Sequence, residues 1–187
     1  MGVLIRRCIL IVVVALSGVT AATIRLEAQG VSTPGLTAAF LFNFAKFTTW
    51  PDDALRSGST MVVCVIGSDQ IADALTQLTR DKVVEGHPIA IRRTDLRQPL
   101  TDCHILFGAS LDESSARELL RAVAGHPILT VSDWESFAAR GGVANFFIEG
   151  ARMRFAVNPD AAERGRLRIS SRLLTLARLV RGPATPR

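Results

Sequence analysis

Three short apolar runs limit what this chain can become. They are "MVVCVIG" (Met61 to Gly67), "CHILFG" (Cys103 to Gly108) and "HPILTVSD" (His126 to Asp133). The first is continuously apolar, the second is broken only by His104, the third mixes in Thr130 and Ser132, and each closes on small or capping residues. Such runs are strands buried on both faces, which requires a parallel sheet covered by helices on either side. The segments between them supply those helices. "SDQIADALTQL" (68–78) puts Ile71, Leu75 and Leu78 on one face behind a serine cap. "LDESSARELLRAVAG" (111–125) carries acids in its first turn and Gly125 beyond its end, as helix termini prefer. "WESFAARGG" reads as a short helix closed by glycines, and "HPIAIRRT" as an alternating strand nearer an edge. "VANFFIEGARMRFAVN" reads as a hairpin turning at Glu149-Gly150. The stretch from Asp160 to Leu179 reads as helical, in one piece or divided near Gly165. The predicted architecture is a three-layer α/β domain with a mostly parallel sheet, an antiparallel C-terminal hairpin and flanking helices.

Ahead of this pattern stands "AAFLFNFAKFTTWP" (Ala38 to Pro51), with five of the eleven aromatic residues of the chain. Ser32-Thr33-Pro34 is a helix start, and the spacing predicts a helix from Gly35 to about Thr49, stopped by Trp50-Pro51. Leu36, Phe40, Phe44 and Phe47 share its core face, widened by Leu41. Phe42, Asn43 and Lys46, with Trp50, are left over. Two readings stand side by side. Asn43 and Lys46 bind backbone carbonyls within the domain, or these residues meet a second protomer or a receptor.

The N-terminus is of another kind. Arg6 and Arg7 precede an apolar run from Cys8 to Ala22, and small residues follow. The run is shorter than the roughly 20 residues that a spanning helix needs. It reads as a secretory signal peptide over residues 1–22, with cleavage as late as residue 28, rather than as an uncleaved anchor. The remaining residues, 29–187, make one domain. Export leaves Cys64 and Cys103 as an even pair in an oxidising compartment, which favours a disulfide over two buried thiols. Removing the leader takes two arginines and no acid, so the balance falls from +5 to +3. The basic residues are not interleaved with aromatics, which speaks against nucleic acid as a partner.

Reaction chemistry finds little purchase. No glycine-rich phosphate loop, no G-x-S-x-G elbow and no paired metal spacing occurs. His87, His104 and His126 are scattered. The sequence predicts neither an enzyme nor a bound cofactor or metal. What remains is the set of strand ends, where ligands of open parallel sheets sit. Asp69, Ser110 and Asp133 occupy them, either as helix caps or as a small-ligand pocket. "ISSRLLTLARLVR" reads as an amphipathic helix with Ile169, Leu173, Leu176 and Val180 on its core side.

Three segments together resemble the YfiR-like family of exported bacterial proteins: "AAFLFNFAKFTTWP", "CHILFG" with "LTVSDWESFAARGG", and "NFFIEGARMRFAVNPDAAERGRLRISSRLLTLARLV". The resemblance runs from about Leu36 to Val180. It implies a periplasmic regulator that binds an inner-membrane diguanylate cyclase and holds it inactive, so governing cyclic di-GMP and biofilm growth. It also implies that the family's first cysteine pair falls on Cys64 and Cys103. The second pair of the best understood members is missing. Phe42 stands where tyrosine is usual, and Thr49 where an acid is common. Members also occur beside other receptors and sensor kinases, which leaves a small-ligand sensor subunit as the alternative. A homodimer is expected in either case.

Overall fold

The computed structural model describes residues 33–182. The leader, the Ser32 cap and the tail at residues 183–187 lie outside the described residues. The strands are β1 (Thr48–Thr49), β2 (Met61–Ile66), β3 (Val83–Val84), β4 (His87–Thr94), β5 (Ile105–Gly108), β6 (Leu129–Ser132), β7 (Ala144–Glu149), β8 (Arg152–Val157), β9 (Arg168–Ile169) and β10 (Arg178–Leu179). The helices are α1 (Thr33–Lys46), α2 (Asp69–Thr79), α3 (Glu113–Ala122), α4 (Pro159–Arg164) and α5 (Ser171–Leu174). Eight strands form one sheet in the order β10-β8-β7-β6-β5-β2-β4-β3. The β7–β8 and β3–β4 pairs are antiparallel and the others parallel.

The apolar runs behave as strands covered on both faces. Along β2, Met61, Val63 and Val65 enter one core, and Cys64 and Ile66 enter the other. Ile105 and Phe107 of β5 join the first core, and Leu106 the second. Helices α1 and α2 pack together over the first face. Helix α3 and the segment around Phe137 cover the second. The predicted three layers are therefore present, with helix on sheet on helix.

The aromatic segment supplies the centre of the first core. Phe44 stacks on Phe146 with centroids 5.7 Å apart and meets Phe155 edge-on at 5.2 Å. Phe40 reaches the same two rings at 5.6 and 5.9 Å. Each ring pair adds about 0.5–1.5 kcal/mol beyond area burial. The buried stripe of α1 is Thr37, Ala38, Leu41, Phe44 and Ala45, shifted from the predicted Leu36–Phe40–Phe44–Phe47 line. The small side chains of Ala38 and Ala45 let α2 lie alongside, so α1 is covered by a helix as well as by the sheet.

Three boundaries differ from the sequence reading, each because distant partners compete for the backbone. First, α1 ends at Lys46, not Thr49. Thr48 and Thr49 form β1, paired antiparallel with Ile169 and Arg168 of β9. Second, "WESFAARGG" is a series of turns, not a helix. The buried amides of Asn145 and Asn158 take up its backbone: Ala138 N–H donates to Asn145 Oδ1 at 3.2 Å, and Asn158 Nδ2 donates to Ala138 O at 2.8 Å. Third, the stretch from Asp160 to Leu179 is not a long helix. Arg166 has φ of 56°, which no helix accommodates. Beyond it the chain pairs as β9, makes the one-turn α5, and pairs again as β10 along β8. Of the predicted apolar face, Leu173 is buried but Leu176 is 69% exposed. The hairpin turn also sits one residue later than predicted, on Gly150-Ala151 between the paired Glu149 and Arg152.

Candidate functional site

Four residues were expected to face a partner, and the structure divides them. Asn43 and Lys46 are exposed on the outer side of α1, and Phe42 is half-buried between them and the core. Neither the Asn43 nor the Lys46 side chain hydrogen-bonds a backbone carbonyl among the described residues. Lys46 Nζ instead lies 5.8 Å from the Phe42 ring centroid, and Lys82 Nζ lies 5.1 Å from it. Two ammonium groups thus lie within cation–π range of one aromatic ring. Lys82 comes from the turn after α2, and nothing in the sequence linked it to α1. Trp50 does not belong to this surface. It is 6% exposed, and its indole N–H donates to His104 O at 3.2 Å. A tryptophan before proline leaves the helix and turns inward, where helical spacing no longer applies.

The strand ends form the second site. The chain passes from β2 to β4 on one side and then to β5 on the other, so the order reverses between β2 and β5. A cleft of about 420 Å³ opens there, lined by Ser68, Ser110, Asp133, Phe146 and Ile148 among others. Gly67 closes its floor with φ of 81°; a Cβ there would lie 2.7 Å from Ala109 O. Ser110, with φ of 52°, donates its backbone N–H to Asp133 Oδ1 at 2.7 Å. The structure therefore joins Ser110 and Asp133 and separates Asp69 from them. The Asp69 carboxylate turns to Arg93 Nε at 3.1 Å, and Ser68, not Asp69, caps α2 through Ile71 N–H at 3.3 Å.

Cys64 and Cys103 are joined in a disulfide, with Cα atoms 5.8 Å apart and both residues buried. Cys103 sits two residues ahead of β5, not within it. Register places Arg92 of β4 directly beside Cys64. Its guanidinium lies over the bond, with Nη2 3.2 Å from Cys64 Sγ and 3.1 Å from Cys103 Sγ. The same group holds Asp102 through both oxygens, at 2.5 and 2.7 Å. That hydrogen bonding raises the Arg92 pKa and holds the Asp102 carboxyl below its usual range. The sequence placed Arg92 on a strand but gave no sign that its side chain would reach the cysteines.

His104 has a structural role. Its Nδ1 accepts from Val62 N–H at 3.0 Å and its Nε2 faces Ala54 O at 3.2 Å. Both contacts are satisfied only by the neutral ring protonated on Nε2, and burial pushes its pKa below the ordinary value. Among the described residues no serine or cysteine side chain hydrogen-bonds a histidine, and no group of His, Cys, Asp and Glu side chains has the arrangement of a metal site. No helix among them is long and apolar enough to cross a membrane.

The geometry is that of a disulfide-bonded α/β protein that presents an exposed basic-aromatic helix face and an open strand-end cleft. A model of the YfiR/HmsC-like family matches residues 35–178, and the chain belongs to that family. The family is regulatory rather than catalytic and is known for control of diguanylate cyclases from the periplasm.

Proposed function

We propose that this chain is a periplasmic, non-enzymatic regulator that binds an inner-membrane signalling protein, a diguanylate cyclase, and holds it inactive. On this reading the leader is removed, and the domain of residues 29–187 acts as a homodimer. The family match over residues 35–178 is the observation that supports it. The buried disulfide agrees with an oxidising compartment. Inhibition by binding requires only that the regulator bind the inactive receptor better than the active one. The outer face of α1, with Phe42, Asn43, Lys46 and the added Lys82, is the proposed contact surface.

The test is direct. The periplasmic domain of a candidate cyclase from the same genome is mixed with the mature chain, and complex formation is followed by sedimentation. Cytoplasmic cyclic di-GMP is measured with and without the regulator. Binding together with a rise in cyclic di-GMP on deletion is expected. Absence of both with every membrane cyclase of the genome would defeat the cyclase reading.

The cleft at Ser110 and Asp133 supports a second reading, a small-ligand sensor subunit of a membrane receptor or histidine kinase. Its size suits a small metabolite. A ligand that protects the mature chain against thermal unfolding, and loses that effect in Asp133→Ala, would favour it.

A further inference from the structure

The face of the sheet opposite α1 carries a groove that the reading above does not use. It runs between α3 and the turns that follow Trp134. One hollow of about 360 Å³ is lined by Ala116, Leu120 and the half-buried Trp134. A second, of about 490 Å³, continues from it past Gly125 and Gly165. The two share Leu120, Ala124 and Arg140, so they adjoin along a common rim.

The rim is basic. Arg117, Arg121, Arg140 and Arg164 line it, against the single carboxylate of Glu113. Glu113 is already shared: Arg117 Nη2 and Arg140 Nη1 approach its Oε1 at 3.0 and 3.1 Å. Among the described residues, Arg121 and Arg164 have no carboxylate within ion-pair distance. A recessed apolar floor with a tryptophan, framed by arginines that lack acids, has the composition of an interface centre. Its unmet need is carboxylate, which arginine takes in bidentate form.

We propose that this groove is a docking site for an acidic peptide segment bearing apolar side chains, supplied by a partner protein. The arginines surround a hollow rather than crown a protruding face, which suits an inserted peptide strand better than a bilayer surface. Two adjoining hollows exceed what one small anion fills. The chain itself is net basic, so charge opposes a second copy as the occupant. The inference is independent of the α1 surface, which lies across the sheet, and the two together would let one molecule engage two partners.

The probe is a fluorescein-labelled, end-capped peptide of glutamate and serine bearing two leucines. Three comparisons accompany it: the same peptide without leucine, a lysine version, and vesicles of phosphatidylglycerol and phosphatidylcholine. Trp134 emission is read in a Trp50→Phe background, alongside peptide anisotropy. The leucine-bearing acidic peptide should bind, shift Trp134 emission, and weaken as salt rises. Arg121→Glu and Arg164→Glu should each weaken it about tenfold or more. Both residues are exposed and unpaired by acids, so melting temperatures should stay near wild type. Failure of the peptide to bind, binding untouched by both variants, or equal binding of the leucine-free peptide would overturn the proposal. So would a Trp134 response to vesicles alone, which would indicate a membrane surface, or loss of a dimer in the variants, which would indicate a second copy.

Discussion

Replacing Cys64 and Cys103 together by serine removes the crosslink while leaving an acceptor beside Arg92 Nη2. The bond spans a sequence separation of 39 residues, a loop that holds α2 and β4. In the chain-entropy treatment, closing such a loop is worth roughly 4 kcal/mol at 25 °C. Burying two unbridged hydroxyls adds to the loss, because Cys64 and Cys103 are 0% and 3% exposed. A domain of this size has a margin of about 5–15 kcal/mol, so the crosslink is a large share of it. The expected fall in melting temperature is about 8–16 °C, taking about 2–4 °C per kcal/mol for a domain of this length. Calorimetry of the mature chain, oxidised and doubly substituted, reads this directly. Thiol labelling of unfolded, unreduced periplasmic protein must find both cysteines blocked. If the regulatory reading holds, reduction outside the cytoplasm should also release the receptor. A variant that melts within a few degrees of wild type and still silences its receptor would refute the reasoning, reducing the pair to core packing.

Lys46→Glu should weaken dimerisation or receptor binding while shifting the melting temperature little, because an exposed cation–π contact is worth only about 0.5–1 kcal/mol. Unchanged sedimentation beside a large loss of melting temperature would make Lys46 structural. The neutral state of His104 predicts a pH dependence. Its folded pKa lies below the ordinary 6.5, so the unfolded chain takes up the proton first. The stability it confers is complete above that pH and is lost as pH falls through the folded value. Melting curves taken downward from neutral pH should show this slope, and His104→Gln should flatten it. Asn158→Ala should cost about 2–3 kcal/mol by chemical denaturation, because one side chain caps α4 and satisfies Ala138 O. A loss below about 0.5 kcal/mol would mean that water replaces both bonds.

The three apolar runs determined the layered α/β architecture by themselves. A strand with no polar alternation must be covered twice, whatever lies elsewhere in the chain. The same local logic located α2 with its Ser68 cap, α3 with Gly125 beyond its end, and the β7–β8 hairpin, since spacing and capping are properties of neighbours in sequence. The pairing of the two cysteines was legible from their even number once the N-terminal run is read as a secretion signal. Only the tertiary structure decided the rest. The C-terminal stretch has helical spacing, yet β1 and β8 offer it ladders, Thr48 to Ile169 and Ala156 to Arg178, and no local pattern reveals partners so far outside a helical turn. Asn145 and Asn158 undo a helix at Ala138 because burial makes their amides compete for its backbone. Trp50 turned inward to a carbonyl of His104, Lys82 arrived beside Phe42, and Arg92 came to rest over the disulfide. Each of these depends on how separate elements pack together. For Arg92 the deciding factor is strand register beside Cys64, and a one-residue slip would turn its side chain to the other face of the sheet.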